Sequence, residues 1–277
     1  MRLIVITIAI VLTYSQCSGG FFNAKADQQN TTSTGSDAVN VPYTLVWEEN
    51  FEGDQLNREH WNFELGDGCD LGICGWGNNE LQYYTDTNHK VADGMLTITV
   101  THDDGYQSTR MTTKGKKTFQ YGKFEARMKL PQGAGIWPAF WMLGSDIQSV
   151  GWPACGEIDI MEYVGRMPGI VHHSLHTPSS HGQTINTKAV AVSGLEDEFH
   201  VYAVTWSRQM MQFYIDDTLT YTYASEKQQP DEWPFNKPFY LLLNVAVGGS
   251  FGGEVTNNAI FPQSFVIDYI KVYQQLP

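Results

Sequence analysis

Seven residues, Gly156-Glu157-Ile158-Asp159-Ile160-Met161-Glu162, hold the densest set of reactive groups in the chain, three carboxylates in an apolar frame. In a strand, side chains two apart share a face, so Glu157 and Asp159 point together. Glu162, five residues beyond Glu157, points away unless one residue bulges at Ile160 or Met161 and turns it back. With that bulge, two outer carboxyl groups share a face with an acid between them. Cleavage of an acetal with retention requires such a pair, one nucleophile and one proton donor, roughly 5 to 5.5 Å apart across the sugar bond. An acidic, solvated edge strand would read the same way over these residues alone, in a chain of net charge −13. A helix fits less well, because positions five apart do not face each other and Ile158, Ile160 and Met161 form no single stripe.

Upstream, Gly135-Ile136-Trp137-Pro138-Ala139-Phe140-Trp141-Met142-Leu143 packs three aromatics and a proline into nine residues, and Gly151-Trp152-Pro153-Ala154-Cys155 leads into the acids. Sugar rings have apolar faces that stack on indoles, so a Trp pair beside paired acids suits a glycan cleft; core packing is the other reading of each Trp. Together these stretches closely resemble glycoside hydrolase family 16, whose signature is Glu-x-Asp-x-x-Glu after a Trp-rich strand. Gly75-Trp76-Gly77-Asn78-Asn79-Glu80-Leu81-Gln82-Tyr83-Tyr84 and Leu243-Asn244-Val245-Ala246-Val247-Gly248-Gly249 resemble that family's laminarinase (endo-β-1,3-glucanase) branch. The resemblance runs from about Val41 to the C-terminus.

The resemblance implies Glu157 as the nucleophile at the anomeric carbon, Glu162 as the acid that protonates the departing oxygen and then activates water, and Asp159 hydrogen-bonding the nucleophile. At one pH one carboxyl must be ionised and the other protonated, so their environments must separate their pKa values. Mutual repulsion already raises one of them. Matched positions imply Trp137 and Trp141 stacking on sugar, Asn79, Glu80 and Arg110 touching sugar hydroxyls, His176 near the leaving group, and Asn244 and Trp206 beside the groove. A surface place for Arg110 and a core place for Trp206 stay open. The implied reaction is retaining endo-hydrolysis of β-1,3 bonds in a laminarin-type β-glucan, with no cofactor for catalysis. A structural calcium is implied at Asn50, Gly94 and Asp268, although relatives commonly carry Glu where this chain has Asn50. His172 and His176 share a strand face but stand about 13 Å apart at about 3.3 Å per residue, too far for one catalytic metal without a turn. Alternatives are a same-family hydrolase of mixed-linkage β-glucan or red-algal galactan, and a non-catalytic β-glucan-binding protein, although such relatives usually lack the acid pair.

The elements that must position these residues are strands. Phe124, Ala126, Met128 and Leu130 alternate with Lys123, Glu125, Arg127 and Lys129; Leu96, Ile98 and Val100 alternate with threonines; Val266, Tyr269, Ile270, Val272 and Tyr273 mark a last strand. Met211 to Ile215 and Leu219 to Tyr223 flank Asp216-Asp217 as a hairpin. With no long amphipathic helix and no repeat, the pattern predicts an all-β sandwich of two antiparallel sheets. The resemblance implies a concanavalin A-like jelly roll with a concave substrate groove.

Composition bounds the rest. Charged residues are 17% and aromatics 13%, which leaves room for a large core. The acidic balance repels polyanions, so a neutral β-glucan polysaccharide is the expected partner rather than nucleic acid. Arg2 followed by the apolar run Leu3 to Leu12 reads as an export signal, too short to span a bilayer, and predicts a secreted or cell-surface protein. Cys17, before Ser18-Gly19-Gly20, resembles the lipid-modified cysteine of bacterial lipoproteins, despite Tyr14 and Gln16, and lipid there would be the chain's only membrane anchor. Residues 1–17 are thus read as signal, 18–41 as a polar tether, and 42–277 as one monomeric catalytic domain. In an oxidising compartment Cys69 and Cys74, framed by glycines, are expected to pair across a tight loop, whereas Cys155 reads as a small buried residue.

Overall fold

The computed structural model describes residues 42–225 and 229–275. The predicted signal, the tether and Cys17 lie outside the described residues, and residues 41–277 cluster as one compact unit. Two sheets, of ten and seven strands, account for nearly all regular structure among the described residues. The alternating segments fold as predicted: Gly122–Lys129 and Met95–His102 are strands whose apolar positions Phe124, Ala126, Met128, Leu96, Ile98 and Val100 are all fully buried. The last strand, Gln263–Gln275, is the longest and sits between those two. Met210–Ile215 and Thr218–Ala224 form the predicted hairpin. Asp216 and Asp217 turn it with φ of 48° and 62°, the left-handed values that two-residue hairpin turns need.

The seven-stranded sheet carries the acids. Its order is Thr187–Ala191, Ile170–His176, Glu157–Tyr163, Ile136–Gly144, Phe239–Val247, Arg110–Thr112 and Asn62–Phe63. All pairings in it are antiparallel; a short parallel pair, Tyr83–Tyr84 with Tyr106–Ser108, departs from the antiparallel expectation in the other sheet. Between the sheets, Phe140, Met142, Ile158 and Ile160 join Phe124, Met128, Val204 and Phe213 in one buried cluster. Each such side chain contributes about 1.5–3 kcal/mol by burial. The apolar face of the acid strand therefore holds it in place, and its other face is free to carry charge.

Candidate active site

Glycine opens the acid strand for a steric reason. Gly156 has φ of 75°, and a Cβ there would stand 3.0 Å from Pro234 and 3.1 Å from Phe239, so the chain turns tightly into Glu157. The Glu157–Tyr163 strand then runs between Ile136–Gly144 and Ile170–His176. Against the first neighbour Asp159 pairs with Trp141 and Met161 with Phe140, so Ile160 is the extra residue. Against the second, Asp159 pairs with Ser174 and Glu162 with His172. The predicted bulge is present. Ile158, Ile160 and Met161 are buried in the core, while the three acids face the polar side chains of the neighbouring strands.

Each acid has its own surroundings. Glu157 accepts a hydrogen bond from Trp152 Nε1 at 2.7 Å and keeps partial contact with solvent. Glu162 is buried and accepts from Trp137 Nε1 at 3.1 Å. Burial, reinforced by the Glu157 charge and opposed by His176, Trp137 and Ser174, pushes the Glu162 carboxyl up to about 7. Asp159 is 3% exposed, and burial followed by repulsion from Glu157 and Glu162 raises its pKa well above the usual carboxylate range. His176 Nε2 lies 3.2 Å from Asp159 Oδ2 and 3.8 Å from Glu157 Oε1. Burial disfavours charge on that ring, yet the facing Glu157 and Asp159 carboxyls outweigh it and push His176 up to about 10. The Gly182 N–H points at His176 Nδ1 from 3.1 Å, a bond that only the neutral ring accepts and that then leaves its proton on Nε2, facing the acids. Ligand atoms of Glu157, Asp159 and His176 lie within 4.8 Å of one another, near enough to share a cation. They spend that closeness on each other. The result is one partly exposed carboxyl and one buried carboxyl whose pKa is raised to about 7 on the same wall, the separation that acid-assisted displacement needs.

The predicted lining residues are brought to this wall in two ways. Trp137 and Trp141 are half-buried on the strand beside the acids. Trp141 Nε1 donates to Asn244 Oδ1 at 2.8 Å, Asn244 Nδ2 donates to the Tyr84 hydroxyl at 3.0 Å, and that hydroxyl donates to Glu80 Oε2. Glu80 also accepts from Asn78 and Gln82, and burial raises its pKa. Arg110 is clamped between the Trp76 ring at 4.3 Å and the Trp141 ring at 4.9 Å, with Nε on Glu64 Oε2 at 2.6 Å. Glu80, Asn244 and Arg110 thus serve to fix the groove tryptophans. Asn79 is exposed and donates to Ser250 Oγ. Trp206 does not reach the groove. It is 1% exposed and packs edge-on against Phe239 and Tyr121 in the core.

Trp152, Trp76, Glu64 and Ser174 escaped sequence reading as site residues. A Trp leading into the acids was visible, but which acid it serves depends on the turn through residues 151–156. Cys69 and Cys74 are joined as a disulfide, and Cys155 is buried with its thiol pushed up to about 12 by burial and then by Glu157. Of the residues implied for calcium, Asn50 and Gly94 meet: the Asn50 carbonyl oxygen is 4.0 Å from where a Gly94 Cβ would stand. Asp268 lies at a register shift of the last strand, between Ile267 and Tyr269, and its carboxylate is taken by Arg127 Nη1 at 2.6 Å. The Asn50 carbonyl beside Gly94 is an oxygen of the kind calcium takes, whereas the Asp268 carboxylate is engaged by Arg127.

The family model for glycosyl hydrolases family 16 matches residues 76–271. A beta-glucanase of Rhodothermus marinus is 40% identical over 252 residues, covering 84% of this chain and 85% of that protein. A glucan endo-1,3-beta-glucosidase of Cryptopygus antarcticus is 37% identical over 258 residues, covering 83% and 91%. Among solved structures, a laminarinase from Flavobacterium sp. UMI-01 superimposes with a TM-score of 0.81 at 57% identity, covering 83% of this chain and 100% of that one. Likeness of this length runs through both sheets and the acid strand, and the chain belongs to glycosyl hydrolases family 16.

Proposed function

We propose that this glycoside hydrolase cleaves internal β-1,3-glucosidic bonds of laminarin-type β-glucan with retention of configuration. The observation that carries the mechanism is the division between Glu157, held as an acceptor by Trp152, and Glu162, buried and raised to about 7. Glu157 attacks the anomeric carbon and forms an ester with it, while Glu162 gives its proton to the departing glycosidic oxygen. Glu162, now ionised, takes a proton from water, which attacks the same carbon and releases Glu157. Asp159 stands between them, its pKa raised by burial and by both neighbours, and tunes the pair. Trp137 and Trp141 offer ring faces to the sugars, with Asn79 and Ser250 at the rim. Mixed-linkage glucan is the second substrate within this reading.

The enzyme acts as an exported monomer in this proposal, with lipid on Cys17 as its anchor if the signal is of the lipoprotein type. A calcium ion at the Asn50 and Gly94 carbonyls would be structural, with Asp268 exchanging Arg127 for the ion. Chelator should then lower the thermal midpoint and leave kcat unchanged. The decisive experiment is Glu157→Ser assayed on laminarin: hydrolysis should vanish while glucan binding persists. A variant that hydrolyses at the parent's rate overturns the assignment of the nucleophile.

A further inference from the structure

The apolar pattern of the acid strand does not say which of Ile160 and Met161 is the extra residue, yet only a bulge before Glu162 returns that carboxyl to the wall. A buried histidine on the next strand addresses this point. His173 is 0% exposed and its ring lies 5.1 Å from that of Phe213, inside the sandwich. Its Nδ1–H donates to the Ile160 carbonyl at 2.7 Å. Its Nε2 lies 2.9 Å from Thr220 Oγ1, on the facing sheet, and that oxygen is also 2.9 Å from the Phe213 carbonyl. Burial pushes His173 down to about 4, so the ring is neutral, with one nitrogen to donate and one to accept from Thr220. A polar ring in an otherwise apolar layer has one donor, and that donor meets the carbonyl of the extra residue.

We propose that His173 is a positioning residue: by holding the Ile160 carbonyl it fixes where the acid strand bulges and hence the wall on which Glu162 stands. The inference rests on Glu162 as the proton donor. Thr220 orients the ring, and the hairpin that carries Thr220 thereby ties the outer sheet to the catalytic strand. A bulge that moved past Glu162 would turn the carboxyl into the core.

The test is steady-state hydrolysis of laminarin by His173→Asn, His173→Gln, His173→Leu and Thr220→Val, with folding followed by circular dichroism. Asn places an amide N–H near the position of Nδ1 and should keep kcat close to the parent's. Gln places its amide too far along the side chain and Leu has no donor, so kcat should fall about 10- to 100-fold with KM little changed. Their alkaline limb should move to lower pH as Glu162 leaves its buried place. Thr220→Val, which removes the hydroxyl that orients the ring but leaves the donor to Ile160, should lower kcat less than His173→Leu does; a larger loss than in the Leu variant would overturn the order of roles. Equal kcat in the Asn and Gln variants, or a folded Leu variant with the parent's kcat and pH profile, overturns the proposal. If the Leu variant does not fold, the Asn and Gln pair decides alone. Glu162→Gln separates the two levels: parental activity in that variant removes the proton-donor reading, whereas an inactive one beside an unaffected His173 series removes only the positioning role.

Discussion

At the scale of single residues, one strand makes two carboxyl groups unlike by giving them different surroundings. As the proposed proton donor Glu162 must carry a proton, and burial first, then the Glu157 charge, lifts it to about 7. The pH dependence follows in sign: kcat/KM on laminarin should fall about tenfold per pH unit above that value, as the donor is lost. Glu162→Gln, which has no acid to titrate, should be severely impaired without that alkaline limb; a limb that survives the substitution would assign it to another group. Trp152 is 46% exposed and gives its N–H to Glu157. A hydrogen bond to a charged group contributes about 1.5–3 kcal/mol, less at so open a site, so Trp152→Phe should lower kcat by about tenfold. Trp152→Ala should raise KM further if the ring face also holds sugar.

At the scale of elements, the groove is stiffened by side chains that join strands far apart in sequence. Arg110, on a three-residue strand, reaches Glu64, Trp76 and Trp141 at once. Lysine cannot copy a planar cation sandwiched between two rings. Arg110→Lys should therefore weaken kcat/KM about tenfold, chiefly through KM, at two cation–π contacts of about 0.5–2 kcal/mol each. A KM equal to the parent's would show that the clamp does not govern sugar binding. The Cys69–Cys74 bridge closes a loop just before Trp76. A loop this short is worth about 2 kcal/mol by chain entropy. Cys69→Ser with Cys74→Ser should lower the thermal midpoint by roughly 4–8 °C and raise KM through a looser Trp76.

At the scale of the whole molecule, the burial that equips the site for acid catalysis also sets its stability. Glu162 and Asp159 have folded-state pKa values above those of free carboxyls, and His176 is raised to about 10. Raised groups contribute stability that is present below their unfolded pKa and lost as pH rises through the folded one. Both kinds act in the same direction, so the thermal midpoint should decline from about pH 5 to 10, Glu162 contributing the part up to about pH 7 and His176 the part up to about 10, and Glu162→Gln should flatten the decline below pH 7. Calorimetry across pH 5 to 10 reads this directly; a midpoint rising over that range contradicts the raised pKa values of Glu162 and His176. The net charge of −13 acts over longer distances. Sulfated galactans should be poorer substrates than laminarin, with any activity on them rising with salt as repulsion is screened. Product analysis on laminarin, lichenan, agarose and carrageenan side by side tests both this field and the linkage preference.

The sequence alone determined the sandwich and the acids. Two-residue alternation in segments such as 122–130 is enforced by burial on one face, and the single break between Asp159 and Glu162 shows that a bulge is needed to reunite the carboxyls. Only the tertiary structure decided which residue bulges, which Trp serves which acid, and that Trp206 belongs to the core. It also joined Glu80, Arg110 and Asn244, expected as sugar contacts, into the frame that holds Trp76 and Trp141. The physical reason is that periodicity reports which face a side chain takes, whereas partners such as Glu64 and Arg110, or His173 and Thr220, are far apart along the chain and meet only when the sheets close.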